Sequence, residues 1–225
     1  MELHYKKVNF LGDSITEGSG VSDIANCRYD NRLKAKYSLT TNNYGIGGTR
    51  LAHQMTCSEN PRWDLCFSGR AYNLDPTADI TIVYGGVNDY LHGNAPFGEE
   101  GDTTPATFVG AVHFLMNLLK TMYPTQKFVF MTPARCVFYG GDFTAVSKHP
   151  NKRADACPLA DYVRVIVETG KKMGIPVLNL YENLDINPMI EEERVALTAD
   201  GLHFNDEGHA RLASLLEAFL LSLPE

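Results

Sequence analysis

A chain of 225 residues with 44% apolar and 21% charged side chains has the make-up of an ordinary globular protein, long enough for one domain, residues 1–225, with a sizeable core. Its net charge of -7 argues against a nucleic-acid groove or an anionic membrane surface as partner, since both require clustered Lys and Arg. Five cysteines, odd in number, widely spaced and never in a C-x-x-C pair, suggest neither a disulfide framework nor a zinc knuckle. Met1 leads to the first strand within about seven residues, too few for a charged and then apolar leader, so a cytoplasmic protein without a membrane span is expected.

The first element is the apolar run Val8 to Leu11, which stops at Gly12-Asp13-Ser14 and reads as a buried strand delivering one serine onto a tight turn. Tyr29, Leu33 and Tyr37 recur at helical spacing, and a Thr-rich strand is expected over Ser38 to Asn43. It runs into Asn43-Tyr44-Gly45-Ile46-Gly47-Gly48, where glycines allow a close backbone approach to a ligand. Position 50 is Arg, so this turn lacks the last glycine of the dinucleotide fingerprint. The long connection from 50 to 78 suggests a lid or pocket wall, with a short helix expected near Leu51 to Met55 and the single Trp63 within it.

Ile80 to Tyr84 is the clearest buried strand, and it ends in Gly85-Gly86-Val87-Asn88-Asp89. A rim loop over 90–103 follows, carrying Tyr90, His92, Phe97 and the acidic group Glu99, Glu100 and Asp102. Thr104-Pro105 is a helix start for the apolar face of Phe108, Val112, Leu115, Leu119 and Met122. A strand over Lys127 to Thr132, a third loop over 133–157, a helix from Pro158 to Gly174 and a last strand over Ile175 to Leu180 come next. Asn187-Pro188 begins a short acidic helix, and the final helix is capped at Asn205 or Asp206. Strands alternating with amphipathic helices imply right-handed crossovers and a parallel sheet covered on both faces.

In such a sheet ligands bind beyond the carboxyl ends of the strands, where Ser14, the Gly45 to Gly48 turn and Asn88 are all expected. Asp200 and His203 sit three apart in the loop before the last helix, a spacing at which a carboxylate can hold imidazole Nδ1–H and leave Nε2 free as base. A serine, a close backbone N–H, an amide side chain and an oriented imidazole are the parts of an acyl-transfer site. His203 and His209 are six apart with no suitable third ligand nearby, so no metal is expected.

Taken in order, Gly12-Asp13-Ser14-Ile15, the glycine turn ending in Gly48, Gly86-Val87-Asn88-Asp89 and Asp200-x-x-His203 resemble the four signature blocks of the SGNH (GDSL-type) hydrolases. The resemblance implies a flavodoxin-like three-layer α/β/α sandwich with strand order 2-1-3-4-5 and an esterase, lipase, thioesterase or deacetylase activity needing no cofactor. It implies Ser14 as nucleophile, His203 as base and Asp200 as orienter, with Ser14 N–H, Gly48 N–H and the Asn88 side chain as oxyanion hole; Gly45 and Gly47 are alternatives to Gly48. The α/β-hydrolase elbow G-x-S-x-G is absent, since position 16 is Thr.

Asp13, Tyr90, Phe138 and Tyr139 are expected to line the substrate's path, with Trp63 a further candidate wall. The acidic rim would repel strongly anionic substrates, which favours a small neutral ester such as an acetylated carbohydrate, although Arg135, Lys148, Lys152 and Arg153 on another rim loop pull the other way. The alternative from another class is a non-catalytic module binding a nucleotide or flavin phosphate at the same crevice, which gives no reason for an Asp and His three apart facing a serine.

Overall fold

A computed structural model describes residues 1–224. In chain order the elements are β1 (Lys7–Gly12), α1 (Ser14–Glu17), α2 (Ile24–Cys27), α3 (Tyr29–Tyr37), β2 (Thr40–Gly45), a 3₁₀ turn (Pro61–Asp64), α4 (Phe67–Ala71), β3 (Ile80–Tyr84) and α5 (Val87–Leu91). Then come α6 (Phe108–Met122), β4 (Lys127–Met131), the two-residue strands β5 (Val137–Phe138) and β6 (Gly141–Asp142), α7 (Leu159–Met173), β7 (Val177–Leu178), α8 (Leu180–Asn183), α9 (Glu191–Leu197) and α10 (Asp206–Ser222).

Five strands pair in the order β2-β1-β3-β4-β7, all parallel, as the resemblance implied; the fifth strand is β7 because the small antiparallel hairpin β5-β6 stands outside the sheet. Side-chain alternation splits the core into two layers. Leu11, Val83 and Phe130 pack under α4, α5, α6 and α7. Phe10, Ile82, Val129 and Met131 face the other way, toward α3 and α10. The period-2 pattern of the strands thus produces the three-layer sandwich.

The edge strand β2 is polar because only one neighbour covers it, and its Asn42 begins a satisfied polar row. Asn42 donates to Asn9 Oδ1 at 3.1 Å, Asn9 to Thr81 Oγ1 at 3.2 Å, and Thr81 to Gln126 Oε1 at 2.7 Å. Asn9, Thr81 and Gln126 are buried and Asn42 half-buried, and the partners they find in one another offset the cost of burying them.

Some local expectations are corrected. No helix forms over Leu51 to Met55, because the Leu51 and Ala52 N–H groups donate to the two Asp89 carboxylate oxygens, each at 2.9 Å. The last strand covers only Val177–Leu178, since Asn179 caps α8 and Leu180 N–H turns to Thr132 Oγ1 at 2.9 Å. Helix α6 starts at Phe108, where the Thr107 hydroxyl accepts from Gly110 N–H.

Gly45, at the end of β2, lies so close to α1 that a Cβ there would stand 2.2 Å from Glu17 N. The three nearest atoms, Glu17 N, Thr16 C and Glu17 Cα, are all backbone and cannot turn aside, so Gly45→Ala is expected to lower stability by about 3 kcal/mol in urea unfolding and to reduce activity by pushing β2 away from α1.

Candidate active site

Ser14 opens α1 directly after β1 and is buried; the Asp13 carboxylate caps this turn, accepting from Ile15 N–H at 3.1 Å. Thr16 continues the turn and exchanges a hydrogen bond with Tyr29 OH at 3.0 Å, anchoring α1 to α3.

The other end of the chain comes back to this serine. Asp206, first residue of α10, accepts from both the N–H and the hydroxyl of Ser22, which ties the loop after α1 to the loop before α10. Within that second loop Asp200 Oδ1 accepts from Leu202 N–H at 3.0 Å and His203 N–H at 2.8 Å, while Oδ2 receives His203 Nδ1 at 2.7 Å. The carboxylate therefore sets both the turn and the ring. His203 Nε2 then stands 2.9 Å from Ser14 Oγ, 189 positions away in the chain. Burial alone would raise the Asp200 pKa; the hydrogen bonds from the His203 ring and backbone outweigh it and hold the carboxyl below its ordinary value.

The glycine turn after β2 can be resolved donor by donor. Gly45 N–H goes to Asn43 Oδ1 at 2.9 Å and Gly47 N–H to Glu17 Oε2 at 2.8 Å. Among the described residues neither Gly48 N–H nor Ser14 N–H has a hydrogen-bond partner. Gly48 has φ +76, and a Cβ there would be 2.1 Å from Trp63 Cδ1, so both its backbone and its neighbour demand glycine. Asn88, in the first turn of α5, donates to Thr49 O at 3.1 Å and lies 3.2 Å from His92 Nε2 through its Oδ1. One hydrogen of its amide remains for another acceptor. Serine hydroxyl, imidazole, two unengaged peptide N–H groups and a carboxamide thus meet at the carboxyl edge of β1, β2 and β3, a constellation able to activate a nucleophile and stabilise an oxyanion.

Beneath it lies Arg70, buried and donating to Gly12 O, Tyr44 O, Leu65 O and Thr49 Oγ1. Desolvation lowers its pKa to about 10. Nothing in the spacing of the sequence signals this residue or Glu17.

Of the expected substrate contacts, Phe138 and Tyr139 stand beside the site, whereas Asp13 is buried beneath it as the cap of the Ser14 turn and Tyr90 is turned into the core. Asp13 is fully buried, and Tyr90 is 2% exposed with its hydroxyl donated to Asp142 O and Ala145 O, so it holds the 133–157 loop rather than a ligand. The acidic rim is also placed elsewhere. Glu100 pairs with Lys172 of α7, Asp102 accepts from Thr107, and both line a cleft of about 540 Å³ against α6 and α7. Lys152 is turned inward, donating to Asp89 O at 2.7 Å.

An arc of rings replaces that rim. Ring centroids are 4.8 Å apart for Trp63 and His92, 5.9 Å for His92 and His149, 4.8 Å for His149 and Tyr139, 4.7 Å for Tyr139 and Phe138, and 6.2 Å for Phe138 and His203. It starts on the Gly48 turn and ends on the imidazole that faces Ser14. Tyr139 sits at the tip of the β5-β6 hairpin with φ +51, a left-handed conformation that is strained for a bulky side chain, and is 40% exposed. Among the described residues no group of His, Cys, Asp or Glu could hold a metal ion.

The model of the GDSL-like lipase/acylhydrolase family matches residues 10–211. The chain belongs to this family. Its hydrolase fold is shared by a solved protein of Lactobacillus plantarum, 28% identical with a TM-score of 0.82 and 99% of each chain covered. A possible lipase from Chitinophaga pinensis is 21% identical, with a TM-score of 0.67 over 96% of this chain and 98% of that one. A two-domain esterase active on acetylated mannans, co-crystallised with mannopentaose, is 21% identical, with a TM-score of 0.62 over 99% of this chain and 52% of its own. No curated protein matches the sequence. Among the described residues no helix is long and apolar enough to cross a membrane.

Burial raises the Asp13 pKa to about 6, outweighing the Ile15 hydrogen bond and the charges of His203 and Arg70. The folded state then keeps a proton that the unfolded chain releases near pH 4, so stability is lost as pH rises from about 4 to about 6. Asn at this position retains the cap acceptor without the charge. Wild type is expected to lose about 3 kcal/mol relative to Asp13→Asn between pH 4 and pH 7.5, read from urea unfolding at both pH values.

Proposed function

We propose that the protein is a carboxylic-ester hydrolase working through an acyl-enzyme, with Ser14 as nucleophile, His203 as general base and Asp200 as its orienter. The observation that carries this reading is the unbroken contact from Asp200 Oδ2 to His203 Nδ1 at 2.7 Å and from His203 Nε2 to Ser14 Oγ at 2.9 Å. As Ser14 Oγ attacks the ester carbonyl, its proton passes to His203 Nε2. The carbonyl oxygen takes the negative charge and is met by Ser14 N–H, Gly48 N–H and the free amide hydrogen of Asn88. Collapse of the tetrahedral intermediate breaks the bond to the alcohol, which leaves with the proton from His203. Water then attacks the acyl-enzyme, with His203 again as base, and releases acid and Ser14.

The favoured substrate is a small neutral ester, with an acetylated carbohydrate as the leading class. Trp63 is pressed against Gly48, which supports a short acyl group on the oxyanion side. The arc from Tyr139 to Phe138 offers ring faces on which a sugar can stack. The similar fold of the esterase active on acetylated mannans supports the same class.

Ser14→Ala is expected to lower kcat on p-nitrophenyl acetate by about a thousandfold or more and to abolish fluorophosphonate labelling; unchanged turnover would refute the assignment. Tyr139→Ala, which also relieves no core contact, is expected to raise KM on acetylated oligosaccharides about tenfold while changing p-nitrophenyl acetate hydrolysis little. Equal effects on both substrates would remove Tyr139 from sugar recognition.

A further inference from the structure

Two side chains behind the crevice determine which way the Asn88 amide faces. Arg50, buried at 3% exposure, lies 3.1 Å from His92 Nδ1 through its Nη1. A guanidinium can only donate, so Nδ1 must be the acceptor and the ring hydrogen must sit on Nε2. That Nε2 is 3.2 Å from Asn88 Oδ1, while Asn88 Nδ2 donates to Thr49 O at 3.1 Å. With a donor on one side and an acceptor on the other, the carboxamide cannot exchange its oxygen and nitrogen without losing both contacts.

We propose that His92 is a positioning residue for ester hydrolysis: its Nε2–H holds the Asn88 carboxamide oxygen and thereby presents the free amide hydrogen to the developing oxyanion. This rests on Asn88 serving as an oxyanion donor. The arrangement continues outward, because Arg50 Nη2 donates to Ser58 Oγ and Asp64 Oδ1, each at 2.6 Å, and Asp64 belongs to the same 3₁₀ turn as Trp63. Trp63 in turn packs on the His92 ring at 4.8 Å. The 50–66 segment is thus wired through Arg50 and His92 to the amide.

The ring remains neutral at any ordinary pH. Desolvation, followed by the charges of Arg50, His149 and Lys152, brings the His92 pKa down to about 3. A neutral ring with one fixed hydrogen is what the role requires, since a protonated ring would lose the Nδ1 acceptor on which Arg50 depends.

Three single variants, one double variant and one spectrum test the proposal. His92→Phe is expected to lower kcat on p-nitrophenyl acetate about ten- to a hundredfold with KM within about twofold. His92→Gln, whose terminal NH₂ can replace the lost donor, should recover most of that loss. Asn88→Ala should cost about a hundred- to a thousandfold, and adding His92→Phe to it should cost little more, because the ring acts through the amide. Nitrogen-15 NMR of the wild-type protein should show His92 protonated at Nε2 alone from pH 6 to pH 8. Full kcat in His92→Phe, a double variant whose losses multiply, or an Nδ1–H tautomer would overturn the proposal. If His92→Phe does not fold, as judged by circular dichroism, the Gln variant and the tautomer decide it. An Asn88→Ala enzyme with full kcat would instead sink the oxyanion-hole reading.

Discussion

One buried cation holds the carboxyl edge of the sheet together. A parallel sheet leaves strand-end carbonyls without partners at the edge where ligands bind, and such groups are costly when water is excluded. Arg70 serves this edge by donating to Tyr44 O of β2 and to Gly12 O of β1, which also accepts from Ile46 N–H at 3.1 Å, and by reaching Thr49 Oγ1 beyond the glycine turn. The serine turn and the glycine turn are thereby fixed to one rigid fork. A guanidinium suits this position because its donors are planar and diverge toward several acceptors, whereas an ammonium is a compact point charge with no such preset directions. Asp13, whose charge favours the cation across the same floor, carries the complementary burden of a raised pKa.

The same economy recurs around the crevice, where carboxylates organise backbone rather than surface. Asp89 binds the Leu51 and Ala52 N–H groups, Glu17 binds Gly47 N–H, and Asp200 binds two N–H groups of its own loop. Each satisfies peptide donors in loops around the crevice. Glu17 and Asn43 together leave Gly48 as the glycine of that turn whose N–H is unspent. Selectivity for one donor arises here from the satisfaction of the others.

Much of this was legible from residue order. The strand ending at Gly12 placed Ser14, the Asp200 and His203 spacing predicted their contact, and strands alternating with amphipathic helices along the chain predicted a parallel sheet covered on both faces. The meeting of Ser14 and His203, 189 positions apart, followed from the resemblance of the motif blocks, whereas other features set by distant partners carried no motif. Tyr90 reads as a rim aromatic, yet its ring belongs to the core beside Tyr162. Glu100 reads as part of an acidic mouth, but an ion pair with Lys172, 72 positions on, draws it to the α7 flank. The ring arc joins Trp63, His92, His149 and Tyr139 from three separate loops, and no periodicity in the chain foretells it.

The 189-residue separation between Ser14 and His203 has a consequence for folding. Strand β1 leads straight into the serine, while the imidazole lies in the loop just ahead of α10. Until α10 docks on α3, the two side chains cannot meet, so under the proposed acyl-enzyme reading a chain without that contact would carry an inert hydroxyl. On that reading, hydrolysis would report that segments far apart in the sequence have come together.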